Sequence, residues 1–237
     1  PDMPPTIRRV APAALGLTAA LASSAVLTAC GAATSTTTPG ASTTSRPPTI
    51  DVYGDSVTVQ AFWGRDAQFA EGAPAGAIVR THARPGSVIA DHQAAVESRA
   101  ADDIPSTLVI ALGTNNAARL TDGWTSQDQT DATRLVHAAA PATCVVVVLP
   151  GGTQGPTQTL VDQTDFDQAR AALEVAAKDR QVSGAPTVVA DWGAVAAANE
   201  DLLAPDGIHL AADAARPGHL ADGEAADAFA AVVWSGV

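Results

Sequence analysis

Ile50-Asp51-Val52-Tyr53-Gly54-Asp55-Ser56-Val57 sets a short apolar run against a glycine, an acid and a serine. The run Ile50–Tyr53 reads as a β-strand, and Gly54-Asp55-Ser56 reads as the turn that ends it. Four more runs of the same kind follow, at Ala77–Arg80, Thr107–Leu112, Cys144–Leu149 and Thr187–Ala190. The runs at 107–112 and 144–149 are apolar on both faces, as strands covered by helices on each side must be. Longer Ala-rich segments fill the gaps; Val88–Ala101, Thr130–Ala140, Phe166–Asp179 and Ala225–Trp234 are the clearest helices. Strand and helix alternate, and right-handed crossovers then make the sheet parallel. The expected class is α/β, a three-layer α/β/α sandwich around a five-stranded parallel sheet.

Upstream of this region the chain changes character. Arg8 and Arg9 precede an uncharged stretch from Val10 to Ala29, rich in Ala, Leu and Val, that ends in Leu27-Thr28-Ala29-Cys30-Gly31. A basic start, an apolar run and a small-residue cleavage site are the layout of a signal peptide. The last five residues resemble the lipobox of bacterial lipoproteins, which implies cleavage before Cys30 and a diacylglycerol on its sulfur. Residues 31–48 are Ser, Thr, Pro, Gly and Ala with one charge, a composition that cannot bury enough apolar surface to offset its ordering entropy. Such a tether has a reach of roughly 20–25 Å. Three segments are therefore expected: a leader at 1–29, a lipidated cysteine with its tether at 30–48, and one globular domain at 49–237. The expected location is outside the cytoplasmic membrane, lipid-anchored to its outer face or secreted.

Composition narrows the function. The chain has 237 residues, 46% of them hydrophobic, which suffices for one ordinary core. Its net charge of -12 argues against nucleic acid as a partner and against electrostatic attachment to anionic lipid; a neutral or cationic substrate fits better. Cys30 and Cys144 lie in such different contexts that they are not expected to pair. Cys144 opens the fourth strand, where a small apolar side chain packs well. No cysteine or histidine spacing matches a metal site.

In an open parallel sheet, ligands bind beyond the carboxyl ends of the strands, so polar residues just after strands are the candidates. Ser56 follows the first strand, at the N-terminus of a helix able to stabilise negative charge. Pro205-Asp206-Gly207-Ile208-His209-Leu210 follows the fifth. A carboxylate three residues before a histidine can reach ring Nδ1 and leave Nε2 free for a serine. A hydroxyl nucleophile, a base and a carboxylate that orients the base are the requirements of a serine triad. Gly86, in Ala83-Arg84-Pro85-Gly86-Ser87, and Asn115, in Gly113-Thr114-Asn115-Asn116, follow the second and third strands. A glycine lets a backbone N–H approach a substrate oxygen, and a carboxamide is a neutral donor, so both can join the Ser56 N–H as oxyanion donors.

Gly54-Asp55-Ser56, Gly86, Gly113-Thr114-Asn115 and Asp206-Gly207-Ile208-His209 together resemble the four blocks of the SGNH, or GDSL, hydrolase family. The resemblance runs from about Thr49 to the C-terminus. It implies a flavodoxin-like α/β/α fold, a Ser56–His209–Asp206 triad, oxyanion donors from Ser56, Gly86 and Asn115, and no cofactor. It also implies a serine esterase acting on ester-linked small acyl groups, with acetylated cell-wall polysaccharide or lipid as the substrate suggested by the address. An envelope O-acyltransferase and a catalytically silent glycan-binding module are the alternatives. Val57 stands where the family name has leucine, and Asn116 where an aspartate is usual. The stretch 211–218 separates His209 from His219-Leu220-Ala221-Asp222-Gly223, which resembles what normally follows the catalytic histidine and makes His219 a rival base. Asp206 precedes His209 by three residues whereas Arg216 precedes His219, so His209 is preferred. His82, His92 and His137 are expected to be ordinary polar residues. Phe62, Trp63 and Phe69 are expected to pack in the core more than to line an acyl pocket.

Overall fold

A computed structural model describes residues 46–62, 72–99, 103–119, 122–141, 143–153, 162–212 and 223–237. Five parallel strands, β1 (Thr49–Gly54), β2 (Ile78–Thr81), β3 (Thr107–Ala111), β4 (Cys144–Leu149) and β5 (Thr187–Asp191), form one sheet in the order β2-β1-β3-β4-β5. The connections run outward from β1 to one edge and from β3 to the other, so the sheet's switch point lies between β1 and β3, where ligands bind in doubly wound folds. The α/β/α sandwich expected from the sequence is the architecture observed.

Alternation along the strands divides the core in two. Tyr53, Leu108, Ile110, Val145 and Val147 face one helical layer, and Ile50, Val52, Val109, Val146 and Val148 face the other. The first layer contains α2 (Ala90–Glu97), α4 (Ser126–Ala138) and α5 (Gln163–Val182); the second contains α1 (Ser56–Phe62), α6 (Trp192–Ala198) and α7 (Gly223–Ser235). A short helix α3 (Thr114–Ala117) follows β3, and a 3-10 turn spans Glu200–Leu202. Helix α5 buries Phe166, Ala169, Ala172, Leu173, Ala176, Ala177 and Arg180, the stripe of a 3.6-residue period. Arg180 belongs there because its guanidinium donates to the carbonyls of Ala139, Ala140 and Thr143, which follow α4.

Where the structure departs from the sequence reading, local hydrogen bonds explain it. Helix α4 starts at Ser126 rather than Thr130 because Thr125 and Asp128 form a reciprocal capping box. Helix α2 starts at Ala90 rather than Val88, since the Val88 and Ile89 N–H groups donate to the side chains of Asp91 and Asn116. Strand β5 runs one residue beyond the expected Ala190, to Asp191, and Trp192 opens α6, whose Ala194 N–H is capped by the Asp191 carboxylate at 2.9 Å. Cys144 is a correction: it is buried at the start of β4, as expected, yet it is disulfide-bonded rather than a thiol. Cys30, Trp63, Phe69 and His219 lie outside the described residues.

Candidate active site

Strand β1 delivers the serine. After Gly54 the chain turns at Asp55, whose carbonyl accepts from Val59 N–H at 3.0 Å and whose Oδ1 accepts from Val57 N–H at 3.0 Å, so Ser56 begins α1 with its N–H still undonated among the described residues. Gly54 is required by packing: a Cβ there would fall on the Thr58 side chain one turn further on. Burial pushes the Asp55 carboxyl up to about 6, opposed by the Val57 N–H and by the nearby Thr114 side chain. No hydrogen bond of good geometry joins Asp55 to Thr114.

The histidine comes from the loop after α6 and the 3-10 turn. Leu203 and Leu210 pair as an antiparallel bridge, and Ala204 N–H donates to His209 O at 2.7 Å, pinching 204–209 into a tight loop. Gly207 occupies its apex at φ +73°, a conformation that favours glycine. Within the loop, Asp206 Oδ1 accepts from the N–H groups of Ile208 and His209, at 2.9 and 3.0 Å, while Oδ2 stands 2.6 Å from His209 Nδ1. Burial alone would raise the Asp206 carboxyl, but these hydrogen bonds outweigh it and hold the group below the ordinary carboxylate range. Asp206 therefore accepts from Nδ1–H, the tautomer that leaves Nε2 as a base. His209 Nε2 is 3.1 Å from Ser56 Oγ. Gln60, one turn beyond Ser56, clamps the loop by accepting Leu210 N–H at 3.0 Å.

The two remaining blocks are stitched to the serine turn. Gly54 O, just ahead of Asp55, accepts from Arg84 N–H and Ser87 Oγ, each at 3.1 Å. Asn115 Nδ2 donates one hydrogen to Ser87 O at 3.0 Å, which leaves the other for a ligand. Gly86 sits between these anchors at φ +75° with open space where a Cβ would be, so backbone conformation rather than crowding calls for glycine. Its N–H makes no hydrogen bond among the described residues. The Ser56 N–H, the Gly86 N–H and one hydrogen of the Asn115 carboxamide are therefore undonated among the described residues, on segments hydrogen-bonded to one another through Gly54 O and Ser87 O. Donors so placed can stabilise an oxyanion.

Several residues that hold this site were given no supporting role by the sequence. Asn116 is buried; its Oδ1 accepts Ile89 N–H at 3.1 Å and its Nδ2 donates to Asp128 Oδ1 at 2.6 Å, joining β3's end to α2 and α4. His92, read as an ordinary polar residue, is buried with Nε2 3.0 Å from Ser87 Oγ. Since Ser87 Oγ faces the carbonyls of Gly54 and Arg84, its proton goes to them and His92 Nε2 donates. Burial and the Arg84 charge hold His92 below the usual histidine range. His82 stacks on Tyr53 with ring centroids 4.6 Å apart. Phe62 packs in the core. No cluster of metal-ligating side chains is present among the described residues.

No protein-family model and no curated protein matches the sequence. Solved structures do. A lipase/acylhydrolase from Enterococcus faecalis aligns over 79% of this chain and 94% of its own, with TM-score 0.60 and 16% identity. A GDSL-like lipase from Bacteroides thetaiotaomicron covers 79% of this chain and 86% of its own, with TM-score 0.58 and 15% identity. An acetylxylan esterase from Geobacillus stearothermophilus, a catalytic mutant, covers 80% and 93%, with TM-score 0.61 and 14% identity. At such identities the likeness is one of fold: the chain has the SGNH/GDSL hydrolase fold.

Proposed function

We propose that this chain is a serine ester hydrolase that removes small acyl groups from cell-envelope glycans or lipids. The observation that carries the reading is the unbroken sequence Ser56 Oγ, His209 Nε2, His209 Nδ1, Asp206 Oδ2, with contacts of 3.1 and 2.6 Å between residues as far as 153 positions apart. In this mechanism Ser56 Oγ attacks the ester carbonyl as His209 Nε2 takes its proton, and Asp206 stabilises the imidazolium. The Ser56 N–H, Gly86 N–H and Asn115 Nδ2 hold the oxyanion. His209 then protonates the leaving alcohol, and water, activated by the same base, frees the acid. A sugar hydroxyl in the place of water makes the reaction a transfer.

Openness at the site supports a bulky alcohol portion. The side chains of Asp206 and His209 are 38% and 37% exposed, so a polymer can reach the serine from solvent. The acetylxylan esterases among the fold's relatives make an acetylated polysaccharide the favoured class. The leader at 1–29, the tether at 30–48 and lipid on Cys30 would put the enzyme on the outer face of the cytoplasmic membrane.

The test is fluorophosphonate labelling of the full chain, read by intact mass, beside p-nitrophenyl acetate turnover. Ser56→Ala and His209→Ala are expected to lose labelling, with turnover falling by about 10⁴-fold or more, and His219→Ala to keep both. Undiminished turnover in Ser56→Ala overturns the reading.

A further inference from the structure

Beneath the serine turn, three polar atoms are buried without a hydrogen-bond partner among the described residues: Asp55 Oδ2, Thr58 Oγ1 and Trp192 Nε1. They belong to three different positions in the fold, the end of β1, the first turn of α1 and the start of α6. All three residues line one small cavity of about 10 Å³, walled elsewhere by Thr114, whose side chain lies near the Asp55 carboxyl, and by apolar side chains such as Leu112, Val148 and Phe229. A cavity of this size accommodates a single water, and a water is retained where two to four polar groups meet it.

None of the three atoms is hydrogen-bonded to another, and one water can serve all of them. The indole Nε1–H only donates, a carboxylate oxygen only accepts, and the hydroxyl does either. Water can accept from Trp192 and donate to Asp55 and Thr58 at once. None of the three side chains is free to turn away. Thr58 occupies the space above Gly54 that a Cβ would need. Trp192 is held edge-on against Phe229, ring centroids 5.3 Å apart, and Asp55 Oδ1 is engaged by the Val57 N–H.

We infer that this cavity is a binding site for one structural water that joins Asp55, Thr58 and Trp192, and that through it Asp55 is a positioning residue for Ser56. The water ties the turn bearing the nucleophile to α6, the helix that leads into the His209 loop. Serine and histidine, supplied by opposite ends of the domain, thereby share a buried support. The positioning half of this inference rests on the catalytic reading above; the water site does not.

The first measurement is a water-to-indole cross-peak in NMR of the ¹⁵N-labelled full chain, with the Trp192 Nε1–H assigned by its loss in Trp192→Phe. A persistent cross-peak is expected, and its absence from the folded wild type overturns the inference. Thr58→Val keeps a methyl group over Gly54 but removes the hydroxyl. It is expected to weaken the cross-peak and to lower kcat on p-nitrophenyl acetate about fivefold, with KM within about twofold, and Thr58→Ser to restore both. A folded Thr58→Val with wild-type kcat overturns the positioning role. If the wild type shows the cross-peak but no turnover, the catalytic reading fails and the water site stands.

Discussion

Each donor at the candidate oxyanion site is set up differently, and substitutions should separate them. Asn115 Nδ2 spends one hydrogen on Ser87 O, which fixes the carboxamide before any ligand arrives; such preorganisation makes a donor effective in a transition state. Asn115→Ala is expected to lower kcat by about 10²-fold or more with little change in KM, measured on p-nitrophenyl acetate. An equal rise in KM with kcat unchanged would instead mark Asn115 as a ground-state binding residue. Gly86→Ala places a methyl group in open space but at φ +75°, so its cost is backbone strain of about 1 kcal/mol. A crystal structure of that variant should show a displaced 84–87 turn rather than a steric clash.

Between elements, the serine turn and its neighbours depend on two buried polar clusters. In the first, Asn116 bridges Ile89 N–H and Asp128, and Asp128 in turn caps α4 through Thr125 and pairs with Arg119. Asn116→Asp keeps the acceptor for Ile89 but sets a second carboxylate against Asp128. Like charges raise one of the two carboxyl groups, so the folded state is penalised where both are ionised and relieved as pH falls through the raised value. The variant should lose about 2 kcal/mol at pH 8 and less at pH 5 by urea denaturation; an equal deficit at both pH values would rule this out.

The second cluster lies under β2. Asp51, fully buried on β1, pairs with Arg80 at 2.5 Å and with Arg99, while His82 Nε2 stands 3.7 Å away. Arg99 also reaches the Tyr53 hydroxyl. Burial pushes the Asp51 carboxyl up, but His82, Arg80 and Arg99 pull harder and hold it below the ordinary range. Its stabilising contribution is thus present above about pH 4, the unfolded carboxylate range, and is lost as pH falls through the lower folded value. Asp51→Ala removes the buried carboxylate that Arg99 and Arg80 share, leaving Arg80 its second partner Asp103 at 2.6 Å, and should cost about 2 kcal/mol at pH 7, with a Tm that declines less steeply than wild type between pH 4 and 3. A wild-type acid limb in that variant would remove Asp51 from the acid response.

At the scale of the whole molecule, the disulfide at Cys144 bears on the lipid anchor proposed at Cys30. Cys144 is disulfide-bonded in the structure, and Cys30 is the only other cysteine in the chain. One sulfur cannot carry both a disulfide and a thioether-linked lipid. If the lipid-anchored reading holds, protein purified from membranes should show a diacylglycerol-modified N-terminus at residue 30 and one alkylatable thiol at Cys144 by intact mass. An unmodified N-terminal cysteine with no alkylatable thiol would overturn the anchor. The disulfide sits at the start of β4, and the candidate site lies beyond the opposite, carboxyl ends of the strands, so reduction is expected to leave esterase turnover unchanged.

The sequence by itself determined the alternation of five strands with helices and the parallel α/β class. It also marked Ser56, Gly86, Asn115, Asp206 and His209 as residues following strands. Those features are short-range: a buried strand is a contiguous apolar run, and Asp206 and His209 meet within one loop. Only the tertiary structure brought His209 Nε2 to Ser56 Oγ, put Asn116 between Ile89 and Asp128, and gathered Asp55, Thr58 and Trp192 around one cavity. It also moved the starts of two helices, α2 later and α4 earlier, and left Cys144 in a disulfide. The physical reason is separation along the chain. Ser56 and His209 are 153 residues apart, and Ile89 and Asn116 are 27 apart. A buried donor finds whichever acceptor packing sets beside it, and no local pattern of residues records that choice.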